Sequence, residues 1–251
     1  MNSKGTWRNM TLIDTHVHID FYPDPMKVAL EYESLKIYAM FVTNLPEIFK
    51  KHSSSFKNFK YVRLCIGYHP QVSSEYKFNK DLFCDYVQTT RYIGEVGLDF
   101  QDSDEVNKQA QINAFEYITS ENFNKGRVYS IHSKGTEDII ISILKKNNVK
   151  HAIFHWYSGK LTTLDEIANQ GYYFSVNPKM LYSKNGQKIL SRIPKHLILF
   201  ETDGPFARLN RKILYPKDLK RIYLEFEKNI PDFENTVFKN FRRLLIEKDI
   251  Y

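Results

Sequence analysis

The chain has 251 residues, a net charge of +7 and 42% hydrophobic residues, including 18 Phe and 17 Tyr, enough for one large α/β domain with a sizeable core. No run of 18 or more apolar residues occurs, which argues against a transmembrane helix. The two cysteines, Cys65 and Cys84, form no Cys-x-x-Cys pair and read as buried thiols, against a disulfide framework or a thiolate metal site. The basic balance favours an anionic partner such as nucleic acid. Residues 1–9 contain no apolar segment and do not read as a secretory signal, so a cytoplasmic protein is the simplest reading.

In chain order, short apolar β-rich runs occur at 11–18, 37–44, 61–68, 91–97, 128–132, 151–156, 172–176 and 197–202. Helix-like stretches lie between and after them, at 26–36, 46–51, 80–90, 104–123, 137–147, 164–170, 186–192 and 217–229. Lys51-His52-Ser53-Ser54-Ser55 reads as a polar surface segment. A last amphipathic segment, 237–248, would turn Phe238, Phe241, Leu244 and Leu245 inward and Lys239, Arg242 and Arg243 outward. Eight strands alternating with eight helices predict a (β/α)8 TIM barrel with an extra C-terminal helix, formed by residues 1–251 as a single domain. A doubly wound open sheet is the alternative from counting alone.

A barrel places its catalytic residues at the C-terminal ends of its strands. The polar residues fall there. The first run carries Asp14-Thr15-His16-Val17-His18, and residues two apart in a strand share a face, so His16 and His18 can address one cation. The third run leads into His69, the fourth carries Glu95 and Asp99, the fifth His132, the sixth His155 and the eighth Glu201 and Asp203. Five of the eight histidines end apolar runs; His52, His151 and His196 sit in polar or loop contexts. Burying that many ionisable groups without a cation would cost at least several kcal/mol. Four histidines with Glu95 and Asp203 suffice for two divalent ions, with Glu95 placed to bridge them. Imidazole-rich ligation favours Zn, Mn, Fe or Co over Ca, and Mg is open through its supply. Asp99 reads as a loop hydrogen-bond acceptor and Glu201 as a residue behind the ligands.

These residues sit in motifs. Ile13-Asp14-Thr15-His16-Val17-His18, Gly67-Tyr68-His69-Pro70, Gly94-Glu95-Val96-Gly97-Leu98-Asp99, Ile131-His132-Ser133-Lys134, His155-Trp156-Tyr157-Ser158-Gly159 and Glu201-Thr202-Asp203-Gly204-Pro205 together resemble the TatD-like metal-dependent deoxyribonucleases of the amidohydrolase superfamily. The resemblance runs through residues 11–206 in family order. It implies that His16, His18, Glu95, His132, His155 and Asp203 hold two divalent metals (Zn, Mg or Mn). Departures touch the substrate rim: Trp156-Tyr157 stand where the family has Cys-Phe, Lys134 where it has Arg, and residues 206–212 replace its basic, proline-containing stretch. Tyr22-Pro23-Asp24-Pro25, Val42-Thr43-Asn44, the stretch 126–133 and the stretch 200–206 resemble one branch, the QatD component of Qat anti-phage defence systems. That branch implies partner proteins of the same defence system.

The chemistry so implied is phosphodiester hydrolysis at a two-metal site, with DNA, single strands or 3′ ends, as substrate. Asp203 and Glu95 are the expected catalytic carboxylates. Asp203 would ligate metal and orient or deprotonate the attacking water. His69, Lys134 and Arg208 are candidates to hold phosphates, and Trp156 and Tyr157 either stack a base or pack at the barrel rim. The cluster Arg208, Arg211, Lys212, Lys217, Lys220 and Arg221 could line a DNA track, although such runs are more often solvated helix faces. Two other readings stand beside this one: a C–N or ester hydrolase of the same superfamily, and a binding subunit of a defence complex. Many C–N hydrolases of this type bridge their metals with a carboxylated lysine at the end of strand four. Glu95 occupies that position here.

Overall fold

The computed structural model describes residues 11–246. The reading of the N-terminal nine residues and the last two residues of the expected C-terminal helix fall outside that range. Among the described residues nine parallel strands follow in order: β1 Ile13–Val17, β2 Tyr38–Phe41, β3 Val62–Leu64, β4 Ile66–Tyr68, β5 Tyr92–Asp99, β6 Val128–Lys134, β7 Ala152–His155, β8 Tyr173–Val176 and β9 Ile198–Phe200. They pair as β1-β2-β3 and β4-β5-β6-β7-β8-β9. β3 and β4 are the single third run of the sequence, divided at Cys65, whose N–H still donates to Phe41 O (2.8 Å).

The ring closes between β9 and β1. Val17 forms a parallel bridge with Gly204. Asp203 N–H donates to His16 O (3.0 Å) and His18 N–H to Gly204 O (2.9 Å). Beneath this seam Asp14 is buried and accepts three hydrogen bonds: Thr202 N–H to Oδ1 (2.8 Å), and Thr202 Oγ1 (2.8 Å) and Tyr32 OH (2.6 Å) to Oδ2. The result is the predicted (β/α)8 TIM barrel, eight strands in effect, with strands buried along their length as parallel strands between helices and core must be.

The helices are α1 Pro25–Ser34, α2 Pro46–Phe56, α3 Lys80–Val87, α4 Glu105–Ile118, α5 Glu121–Asn124, α6 Glu137–Lys146, α7 Leu161–Asn169, α8 Lys184–Arg192, α9 Leu219–Glu227 and α10 Phe233–Ile246. Three differ from expectation. α2 runs on through Lys51–Ser55, because Phe49 and Phe56 bury into the core and hold the polar turn between them helical. The long 104–123 stretch breaks after Ile118, where Thr119 Oγ1 donates back to Phe115 O (2.7 Å) and Ser120 turns to extended geometry. α10 starts four residues earlier than expected, so its buried stripe is Phe233, Val237, Phe241 and Leu244, while Phe238 and Leu245 lie only partly inside. Among the described residues no helix is long and apolar enough to cross a membrane.

Candidate metal centre

Two glycines let the strands carry polar side chains inward at close quarters. A Cβ on Gly97, whose φ is +150°, would stand 2.0 Å from His132 O. One on Gly67 would stand 1.9 Å from Thr43 O. β5 and β6 at Gly97, and β4 and the β2 exit at Gly67, therefore approach closely where Glu95 and His132 project.

Glu95 is 1% exposed and lies among five imidazoles. Its two oxygens face different sets. Oε2 lies 3.2 Å from His16 Nε2 and 3.0 Å from His18 Nε2. Oε1 lies 2.7 Å from His132 Nδ1, 2.8 Å from His155 Nε2 and 3.2 Å from His69 Nε2. His16 and His18 bring their Nε2 atoms within 3.1 Å of each other, the shared direction expected of residues two apart. Asp203 completes the His-x-His side, its Oδ1 3.6 Å from His18 Nε2 and 3.9 Å from His16 Nε2. Asp203 holds a positive φ of 47°, and Trp156, which follows His155, one of 37°. Non-glycine residues in that region carry strain that the surrounding structure must impose.

The electrostatics match a cation site. Burial works against the charge on Glu95, yet His69, His155 and His16 outweigh it and hold the carboxyl well below its usual range. Burial pushes Asp203 up to about 7, with His155 and His18 opposing. Burial also drives His16 well below the ordinary imidazole value, whereas at His155 the pull of Glu95 and Glu201 exceeds the burial penalty. Glu95 Oε2 is buried and has no hydrogen-bond donor. A carboxylate oxygen in that condition, 3.0–3.2 Å from two imidazole nitrogens, fits a shared divalent cation. The donor atoms form three close groups: His16, His18 and Glu95; His69, Glu95 and His132; and His16, His155 and Glu201.

Partners behind the ligands fix their rings. Ser130 Oγ lies 2.7 Å from His16 Nδ1. Asp99 ends β5, lies 3.2 Å from His132 Nε2 through Oδ2, and accepts from Gln71 Nε2 (2.7 Å) and Gln101 N–H (3.0 Å). It is thus the hydrogen-bond acceptor expected, on a strand end rather than a loop. Glu201 accepts from Ser175 Oγ, Asn177 Nδ2 (3.2 Å) and Trp156 N–H (3.0 Å), and its Oε1 lies 3.8 Å from His155 Nδ1.

A cavity of about 600 Å³ opens over this cluster, lined by His18, His69, Glu95, His132, His155 and Asp203 at its floor and by Phe21, Asn44, Gln71, Lys134, Trp156, Ser158 and Phe206 around it. Several sequence expectations are redistributed. His69, expected to hold phosphate, stands within the Glu95 cluster. Lys134 and Trp156 do line the cavity. Tyr157 does not: it is buried, its ring edge-on to Phe174 and its hydroxyl donating to Lys160 O (2.6 Å), because the residue after Trp156 turns back into the barrel wall. Arg208 is exposed and does not line the cavity. Ser130, Phe21 and Phe206 were not singled out by the sequence. A serine inside a β-run and two phenylalanines after strand ends carry no local signal that separates them from core.

The model of the family described as TatD related DNase matches residues 13–246. The chain belongs to the TatD-related DNase family. Relatives include human (Homo sapiens) deoxyribonuclease TATDN3, 24% identical over 221 residues, covering 77% of this chain and 78% of that protein. An uncharacterized metal-dependent hydrolase of Methanocaldococcus jannaschii is 26% identical over 191 residues, covering 71% of this chain and 74% of that protein. Among solved structures, the TatD homologue YJJV of Escherichia coli K12 superposes with a TM-score of 0.79 at 20% identity, over 93% of this chain and 97% of that one. A TatD-family hydrolase of Entamoeba histolytica gives 0.74 at 16% identity, over 94% and 98%. The fold is thus that of TatD proteins.

Proposed function

We propose that this TatD-family hydrolase is a DNase that cleaves phosphodiester bonds at a two-metal site, residues 1–251 acting as one hydrolase domain. The observation that carries the reading is Glu95, whose Oε2 faces His16 and His18 while Oε1 faces His69, His132 and His155. That arrangement suits a carboxylate bridging two divalent ions, Zn, Mg or Mn. His16, His18 and Asp203 would hold one ion and His132 and His155 the other, with His69 close enough to share the second. The family match and the deoxyribonuclease named among the relatives support the substrate class.

Bound divalent ions would supply Lewis acidity toward water and toward the phosphoryl oxygens. The rest falls to side chains. Asp203, buried and 3.6 Å from His18 Nε2, would face the ion beside the His-x-His pair, where its carboxylate can orient the attacking water and take its proton. Lys134 at the rim offers a cation to a neighbouring phosphate. Glu95 standing where a bridging lysine would be needed argues against the C–N hydrolase alternative. A role beside Qat-type defence proteins rests on the stretches at 22–25, 42–44, 126–133 and 200–206.

The test is digestion of end-labelled single-stranded oligonucleotides by protein stripped with chelator and resupplied with Mg, Mn or Zn, beside Asp203→Ala. Metal-restored cleavage by wild type, lost in the variant, is the expected result. Cleavage that survives Asp203→Ala, or none with any of the metals, overturns the reading.

A further inference from the structure

Phe21 and Phe206 are 47% and 48% exposed, although both line the cavity beside the buried Glu95 cluster. Phe21 follows β1 in a 3-10 turn and Phe206 follows β9, so the barrel seam brings together rings 185 positions apart. Their centroids are 5.0 Å apart at 59°. Phe206 stands edge-to-face with His18 at 5.0 Å, and Phe21 does the same at 5.9 Å. About half of each of these two adjoining aromatic residues is exposed at the cavity mouth, an apolar surface open to a flat partner. The rim at Lys134 and Trp156 is different in kind. There Lys134 is exposed, and the ammonium of Lys179 lies 5.1 Å from the Trp156 ring centroid, so Trp156 already has a cation on one face.

The cavity therefore has an aromatic side over the His-x-His pair and Lys134 on its β6 side, with Lys179 outside the lining but against Trp156. Building on the DNase reading above, we propose that Phe21 and Phe206 form the stacking platform for the nucleobase next to the scissile phosphate, while Lys134 and Lys179 meet the backbone. An aromatic face accepts any base, so the platform positions a strand without reading its sequence. It also sets the ring of His18 from above, as Glu95 sets it from the side.

The experiment replaces both rings with leucine, which keeps apolar cover over His18 and removes the aromatic face, and compares this pair with Phe206→Trp. Single-stranded oligonucleotides carrying 2-aminopurine near the cleaved end report stacking through quenched fluorescence, and KM and kcat are measured on the same strands. Elemental analysis confirms that metal content is unchanged. The expected result is loss of quenching and a KM raised about 5- to 100-fold in the double leucine variant, with kcat little changed, and retention of both by Phe206→Trp. Quenching and KM equal to wild type in the double leucine variant overturn the platform and leave the DNase reading standing. A wild-type protein that neither binds nor cleaves any of these strands overturns both.

Discussion

Ser130 Oγ lies 2.7 Å from His16 Nδ1, and the other nitrogen of that ring, Nε2, faces Glu95 Oε2 at 3.2 Å. The serine thereby fixes which nitrogen is free for a cation, the common arrangement in which the far nitrogen of a ligating imidazole is held by a hydrogen bond. Ser130→Ala should keep the fold and weaken divalent-metal affinity roughly 10- to 100-fold. Titration of chelator-stripped protein with Zn or Mn, wild type against variant, measures it.

Asp203 and Glu95 should fail differently. Asp203→Asn keeps the side chain's size but removes the proposed acceptor of the water proton, so kcat should fall about 100- to 10,000-fold while the ion proposed at His132 and His155 is retained. Glu95→Gln removes the charge that the two proposed ions would share and leaves an amide facing five imidazoles, so metal content itself should collapse. Parallel kinetics and elemental analysis of the two variants separate the roles.

Asp14 ties β1 to β9 through Thr202 and to α1 through Tyr32. Burial raises its carboxyl from 3.8 to about 7. The folded chain therefore holds a proton here that the unfolded chain has released, and the associated stability is present below about pH 4 and lost as pH rises through 7. Asp14→Asn lacks that titration. Denaturant melts of metal-free protein should show wild type losing stability relative to Asp14→Asn between pH 4 and 7.

Lys134 is exposed on the cavity rim. If it meets a DNA phosphate, oligonucleotide affinity should fall with rising salt, and Lys134→Ala should reduce the log–log slope by about 0.7, the value for one contact to a single strand. Arg208→Ala, outside the cavity, should leave the slope near that of wild type. Fluorescence anisotropy over a salt series reads both.

Much of this was legible in the sequence because its signals are local. Histidine and carboxylate at the ends of apolar runs mark barrel-strand termini, and His16 and His18 share a direction because alternation in a strand dictates it. What depended on packing between distant segments was hidden. α2 was underread because its Ser-rich middle is held helical by Phe49 and Phe56, not by its own propensity. The place of His69 in the Glu95 cluster depends on the close approach of strands at Gly67, and the pairing of Phe21 with Phe206 on closure of the barrel. That Tyr157 packs inward while Trp156 faces the cavity depends on the turn at Trp156, with its positive φ, which alternation along a strand does not foretell.

The most direct test of the central claim, that Glu95 bridges two divalent ions, is elemental analysis of protein purified without chelator, wild type beside Glu95→Ala. About two divalent ions per chain in wild type, and loss of both in the variant, are predicted. A wild-type chain that takes up no divalent metal, or a Glu95→Ala chain that keeps the full complement, would contradict it.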